Sequence, residues 1–233
     1  MQRCSCCAGN KSLEQISYEL TKRTVILMIG SSQQWYFALL CSVALLRLAE
    51  LWFSARHQAH LLTEGGKQVP EPLYPLMVCV HAGLFVGNAA EVWLYERPFV
   101  PLLGWFMVAL LAGCLTGRVW VWHSLGEQWN TQILISTRPV VDTGPYRYVR
   151  HPNYAIVIVE MFALPLVHNA YLTALICSVL NGIVLWHRIR REEAALFRHP
   201  EYAAKMGRKP RFLPVLIRIQ RNRAPIYHSV WRI

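Results

Sequence analysis

The 233-residue chain is 54% apolar and only 16% charged, with a mean hydropathy of +0.26. A water-soluble domain carries roughly 25% charged residues, so a chain built only of water-facing domains is excluded. Its formal charge of +11 does not read as a nucleic-acid footprint: 12 of the 24 Lys and Arg lie between Arg188 and Arg232, behind the last long apolar run, and no groove-reading or base-stacking motif accompanies them.

Residues 1–32 form a leader with no usable pattern, expected to be disordered or poorly packed. Val25 to Gly30 is too short for a signal-peptide core, and no small-residue cleavage site follows it. Cys4, Cys6 and Cys7 cluster there and are open to acylation or metal binding, although no His or second Cys pair completes a ligand set. Cys41, Cys79, Cys114 and Cys177 sit singly in apolar runs as small hydrophobes.

A bilayer-spanning helix needs about 20 predominantly apolar residues. Trp35 to Phe53 is the first such run; Tyr74 to Tyr95, behind Pro72 and Pro75, is the second; Phe99 to Trp122, behind Pro98, is the third. Tyr154 to Val167 and Tyr171 to Trp186 follow, separated by only three residues, and this tight connection predicts a helical hairpin. The expected fold class is therefore all-α: a polytopic membrane helix bundle of about five membrane segments, the last two a hairpin, with a helical C-terminal tail. Residues 33–123 supply the N-terminal membrane helices, 124–216 a core, and 217–233 a basic tail. With the Arg-rich tail in the cytoplasm, the loops of Arg56 and Lys67 and of Arg138, Arg147 and Arg150 are cytoplasmic too, as positive-inside bias requires. That places the chain in a membrane, the inner one if the source is bacterial, with membrane lipids as partners and no role for nucleic acid.

The apolar runs also carry residues that lipid does not tolerate alone. Arg47 and Glu50 share a helical face; His81, Asn88, Glu91, Arg118, Glu160 and Asn181 are spread over the other runs. A charge in lipid costs several kcal/mol unless paired or hydrated, so the bundle is expected to hold internal pairs or a polar cavity. No GxGxxG, P-loop, HExxH or GxSxG is present, and His57 and His60 lack a further ligand nearby, so no metal is expected.

Two stretches carry chemistry. Asp142 to Tyr154, DTGPYRYVRHPNY, is a turn by composition followed by a dense set of donors and by Pro152, which suits a first helical turn. Donors at a helix start favour an anion; an interfacial anchor of aromatics and arginines reads equally well. Arg188 to Leu196, RIRREEAAL, follows the last run, with Arg188 and Glu192 one turn apart and able to pair. A hairpin lies between the two stretches, so both belong at the same membrane face.

GPYRYVRHPNY, an apolar hairpin, RIRREEAAL, Glu201–Tyr202 and the closing RFLP (Arg211 to Pro214) together resemble the isoprenylcysteine carboxyl methyltransferase family, within a wider group of membrane phospholipid methyltransferases. SLGEQWNTQI (Ser124 to Ile133), VEMFALPLVHNAYLTA (Val159 to Ala174) and YPLMVCVHAGLFV (Tyr74 to Val86) look closest to a bacterial branch that O-methylates alkylpyrones. The resemblance implies S-adenosylmethionine as cofactor, contacted by Tyr146, His151, Pro152, Asn153, Tyr154 and Glu192, with Val140 and Val141 lining the site. It also implies that Arg188 faces the acceptor; Arg150 is the other arginine placed to hold an anionic oxygen, and Glu193 is the nearest base for a less acidic one. The implied partner is a lipophilic small molecule or lipid-modified acceptor. The chain departs from the family in having Ala155 and Ile156, where Gly often follows the motif tyrosine. A phospholipid N-methyltransferase and a non-enzymatic membrane carrier or assembly protein are the competing functions.

Overall fold

The computed structural model describes residues 6–213, with side chains from Ser32 onward. The side chains of the leader's cysteines, the closing Pro214 and the basic tail 217–233 lie outside the described residues. Six helices are described: α1 (Cys6–Thr63), α2 (Tyr74–Leu94), α3 (Pro101–Leu125), α4 (Pro152–Leu166), α5 (Tyr171–Leu196) and α6 (Pro200–Met206). One two-residue strand pair, β1 (Lys67–Gln68) with β2 (Leu134–Ile135), is antiparallel. Four stretches are long and apolar enough to cross a bilayer: Ser32–Thr63, Tyr74–Leu94, Pro101–Gln128 and Tyr171–Leu196. The chain is thus a helical membrane bundle.

Prolines set several helix starts. Pro75, Pro101 and Pro152 each lie in a first turn, where a missing N–H costs nothing and φ is already helical. Helix α4 has 15 residues, about 22 Å at the usual rise, short of the roughly 30 Å of hydrocarbon. The hairpin's first arm is therefore too short to cross alone. The second arm runs ten residues past Trp186, because RIRREEAAL contains no Gly or Pro and consists of good helix formers. Hence the second chemical stretch is the C-terminal end of α5 rather than a separate element.

Helix α4 packs between α3 and α5, α2 lies along α5, and α1 rests on α2. The core between them holds Tyr36, Leu84, Val92, Met107, Met161 and Leu164, while Leu45, Leu102, Trp93 and Leu175 point outward as a lipid-facing surface would. Glu91, buried on α2, fixes the hairpin turn. It accepts from the Leu172 and Thr173 N–H groups (3.2 and 2.8 Å) at the otherwise unpartnered start of α5, and Arg97 balances its charge at 3.1 Å. Asn169 takes the left-handed conformation of the turn (φ 58°) and donates to the Pro98 carbonyl at 2.6 Å.

Four of the charged residues in the apolar runs form one cluster. Arg47 meets Glu50 at 2.6 Å and Glu160 at 3.0 Å; Arg118 meets Glu160 and, at 3.5 Å, Glu50. Two cations and two carboxylates from α1, α3 and α4 sum to zero charge, which keeps the group tolerable in low dielectric.

Candidate active site

Beyond the membrane helices, the turn of the first stretch begins at Gly144, whose φ of 57° is left-handed and whose missing side chain leaves room for Ser124. A Cβ there would sit 2.0 Å from Ser124 Oγ, so both conformation and space require glycine. A 3-10 turn, Gly144–Arg147, then carries the chain into α4. Arg147 and Tyr148 end exposed, whereas Val149, His151 and Pro152 are buried.

The residues after α6 hold this turn from behind. Arg150 N–H donates to the Pro210 carbonyl (2.9 Å), His151 N–H to the Arg211 carbonyl (3.0 Å), and Lys209 Nζ to the Tyr146 carbonyl (2.8 Å). Glu193, from α5, ties the same pieces together by charge. Its carboxylate faces Arg150 at 3.1 Å, His151 Nε2 at 3.2 Å and Arg211 Nη2 at 2.5 Å. Because a carboxylate only accepts, His151 Nε2 carries the proton of that bond. The bond to Glu193 also holds the Arg211 guanidinium above its ordinary pKa.

Tyr154 joins the first stretch to the second. Its hydroxyl donates to Glu192 and accepts from Arg188 Nε at 2.9 Å, and its ring stacks on that of His151 (centroids 5.3 Å apart). Arg188 and Glu192 are therefore linked through the phenol and not by the direct i,i+4 pair that their spacing permits. Arg188 also donates to the Thr131 carbonyl and lies 3.4 Å from Glu71. Glu71, in the α1–α2 connection, accepts from the Ile133 N–H. Burial raises the Glu71 carboxyl above its ordinary pKa, opposed by the Arg188 charge and the Ile133 bond.

Segment 129–138 covers the site and is pinned to the end of α1. Ser54 meets Asn130 and Thr131, His57 meets the Trp129 carbonyl at 3.0 Å, and Arg138 makes a two-pronged contact with Glu64 (2.8 and 2.7 Å). Beneath it lies a cavity of about 590 Å³, within the range of roughly 300–1,000 Å³ typical of small-molecule sites. Val140, Val141, Tyr146, Arg150, His151, Asn153, Tyr154 and Glu192 all line it.

Residues 105–198 match the family model of isoprenylcysteine carboxyl methyltransferases. A Bacillus subtilis protein, YpbQ, itself uncharacterized, is 33% identical over 172 residues, covering 73% of this chain and 99% of YpbQ. An uncharacterized Haemophilus influenzae protein is 28% identical over 160 residues, covering 67% of this chain and 91% of its own length. The chain belongs to the isoprenylcysteine carboxyl methyltransferase family. It is thereby an integral membrane methyltransferase.

Three residues singled out in the sequence of this methyltransferase do not line the cavity. Pro152 is buried at the start of α4, Glu193 faces Arg150 and Arg211, and Arg188 lies against Glu71. Other lining residues had no chemical signal in the sequence: Trp129, Gln132 and Ile133 from the covering segment, and Tyr202 and Met206 from α6. The quoted similarity of SLGEQWNTQI and of Glu201–Tyr202 covers all of them but Met206.

The lining suits an S-adenosylmethionine-like molecule. Glu192 offers a carboxylate for an amino or hydroxyl group, while Tyr146 and Tyr202 offer ring faces. Burial, with the nearby Glu192 charge, raises both phenols above their ordinary pKa and keeps them neutral. Trp129 Nε1, Asn130 Nδ2 and Arg150 Nε, on residues of the wall, are buried without a partner among the described residues. Such donors cost about 1–3 kcal/mol each when unmet; sealed from the open space, they sit behind the lining and not on it.

Proposed function

We propose that the protein is an S-adenosylmethionine-dependent O-methyltransferase acting on a lipophilic acceptor at the membrane face. The observation that carries this reading is the Tyr154 hydroxyl, which binds Arg188 and Glu192 together at the edge of one cavity. It makes the two chemical stretches a single site.

When bound, S-adenosylmethionine supplies an electrophilic methyl group on a sulfonium. Tyr146, His151, Asn153, Tyr154 and Glu192 hold it, with Val140 and Val141 as apolar wall. In-line displacement gains most from positioning, which suits a site whose groups are locked by Glu193 and Tyr154. Arg150, in the cavity wall, favours an acceptor oxygen that is already ionised, such as a prenylcysteine-like carboxylate or the acidic enol or phenol of an alkylpyrone or alkylresorcinol; Arg188, off that cavity, would meet such an acceptor from the Glu71 side. A neutral phospholipid amine gains nothing from two arginines and would need a base. We place the basic tail and this site in the cytoplasm.

The test is methyl transfer in membranes containing the protein, using labelled S-adenosylmethionine and, in turn, a prenylcysteine, an alkylpyrone, an alkylresorcinol and phosphatidylethanolamine. Glu192→Gln and His151→Ala are expected to weaken cofactor binding by about tenfold or more, the scale of a lost hydrogen bond to a charged group. Label appearing only in phosphatidylethanolamine would replace O-methylation with N-methylation.

A further inference from the structure

The intramembrane charge cluster and the cavity share one residue pair. Arg118, on α3 and only 5% exposed, donates from Nη1 to Asn153 Oδ1 at 3.3 Å. The same guanidinium is held by Glu160 and, at 3.5 Å, by Glu50. Those carboxylates are in turn bonded to Arg47, at 3.0 and 2.6 Å. Asn153 stands in the first turn of α4 and lines the cavity.

A guanidinium has five donors and no acceptor. Whichever way the amide is drawn, it must turn its oxygen towards Arg118 and its NH₂ group away. We infer that Arg118 is a positioning residue of the methyltransferase site, fixing the Asn153 amide so that its two N–H donors serve a lone-pair-bearing group of the bound cofactor. The ion cluster within the bilayer is then a mount for one wall of the cavity. Two carboxylates, Glu160 and Glu50, anchor the guanidinium, so a flipped amide would lose its bond and set its NH₂ against a fixed cation. This inference rests on the cofactor reading above.

The test is a double-mutant cycle on the full chain in lipid nanodiscs, with the dissociation constant for S-adenosylhomocysteine measured by calorimetry. Arg118→Met and Asn153→Ala are each expected to raise Kd about tenfold, and the double variant no further than Asn153→Ala alone, since groups acting through one another are non-additive. Asn153→Asp keeps the Arg118 contact but presents a carboxylate in place of donors, so it is also expected to weaken binding about tenfold. Should Arg118→Met fail to fold, the Arg118→Met/Glu160→Gln pair takes its place in the cycle, which leaves Arg47 with Glu50 and keeps the cluster neutral. An unchanged Kd for Asn153→Asp, or an Arg118→Met effect of equal size with and without Asn153, would overturn the inference while leaving the cofactor reading intact. Absence of binding by the parent would overturn the cofactor reading and this inference with it.

Discussion

Glu193→Gln separates two roles for the buried acid beside the motif. Its side chain is 9% exposed and faces Arg150 (16% exposed), His151 (3%) and Arg211 (45%). Removing one partner of a buried ion pair costs about 3–5 kcal/mol because the other charge is stranded. The Arg211 share is discounted, since a half-exposed arginine regains water, which leaves about 3 kcal/mol for the Arg150 and His151 contacts. For a chain of this size each kcal/mol moves Tm by about 2–4 °C, so the expected fall is about 6–12 °C. Thermal unfolding of purified protein measures it, and S-adenosylhomocysteine binding well below the transition is expected to persist. The opposite pattern, an unchanged Tm with methylation of a phenol abolished and that of a carboxylate retained, would refute the clamp and make Glu193 the base that its proximity to the motif suggested.

Tyr154→Phe removes the hydroxyl between Arg188 and Glu192 while keeping the ring on His151; titration with S-adenosylhomocysteine is expected to show about tenfold weaker binding. Glu71→Gln removes the carboxylate opposing Arg188, so KM for a carboxylate acceptor is expected to fall relative to that for a neutral one; equal KM changes for both would exclude competition between Glu71 and the acceptor. Glu91→Ala uncaps α5 and leaves Arg97 without its counterion; unfolding is expected to cost about 1–2 kcal/mol less, with Kd for S-adenosylhomocysteine unchanged, because this joint lies at the other end of α5 from Glu192.

How far the sequence disclosed the protein follows from which interactions are local. Hydropathy and prolines are local, so the runs, the hairpin and the starts near Tyr74 and Pro101 were all legible. The DTGPYRYVRHPNY turn was legible as a donor set because its residues are contiguous. Its meeting with RIRREEAAL followed from the hairpin's topology alone. The contacts that assign work to individual side chains are different: they cross the chain by wide separations. Tyr154 to Glu192, Arg118 to Asn153 and Glu71 to Arg188 carry no periodicity, since each pair depends on how two helices, or a helix and a loop, are rotated against each other. Adjacent Glu192 and Glu193 illustrate the point. One residue of helix turns a side chain by about 100°, enough to put Glu192 in the cavity wall and Glu193 among the arginines. Spacing could say that the two acids differ in surroundings, but only the packing of α5 against α4 and the strap at 209–211 decides which faces the ligand. The sequence therefore named a family of sites, and the fold divides it into residues that can touch a ligand and residues that hold those in place.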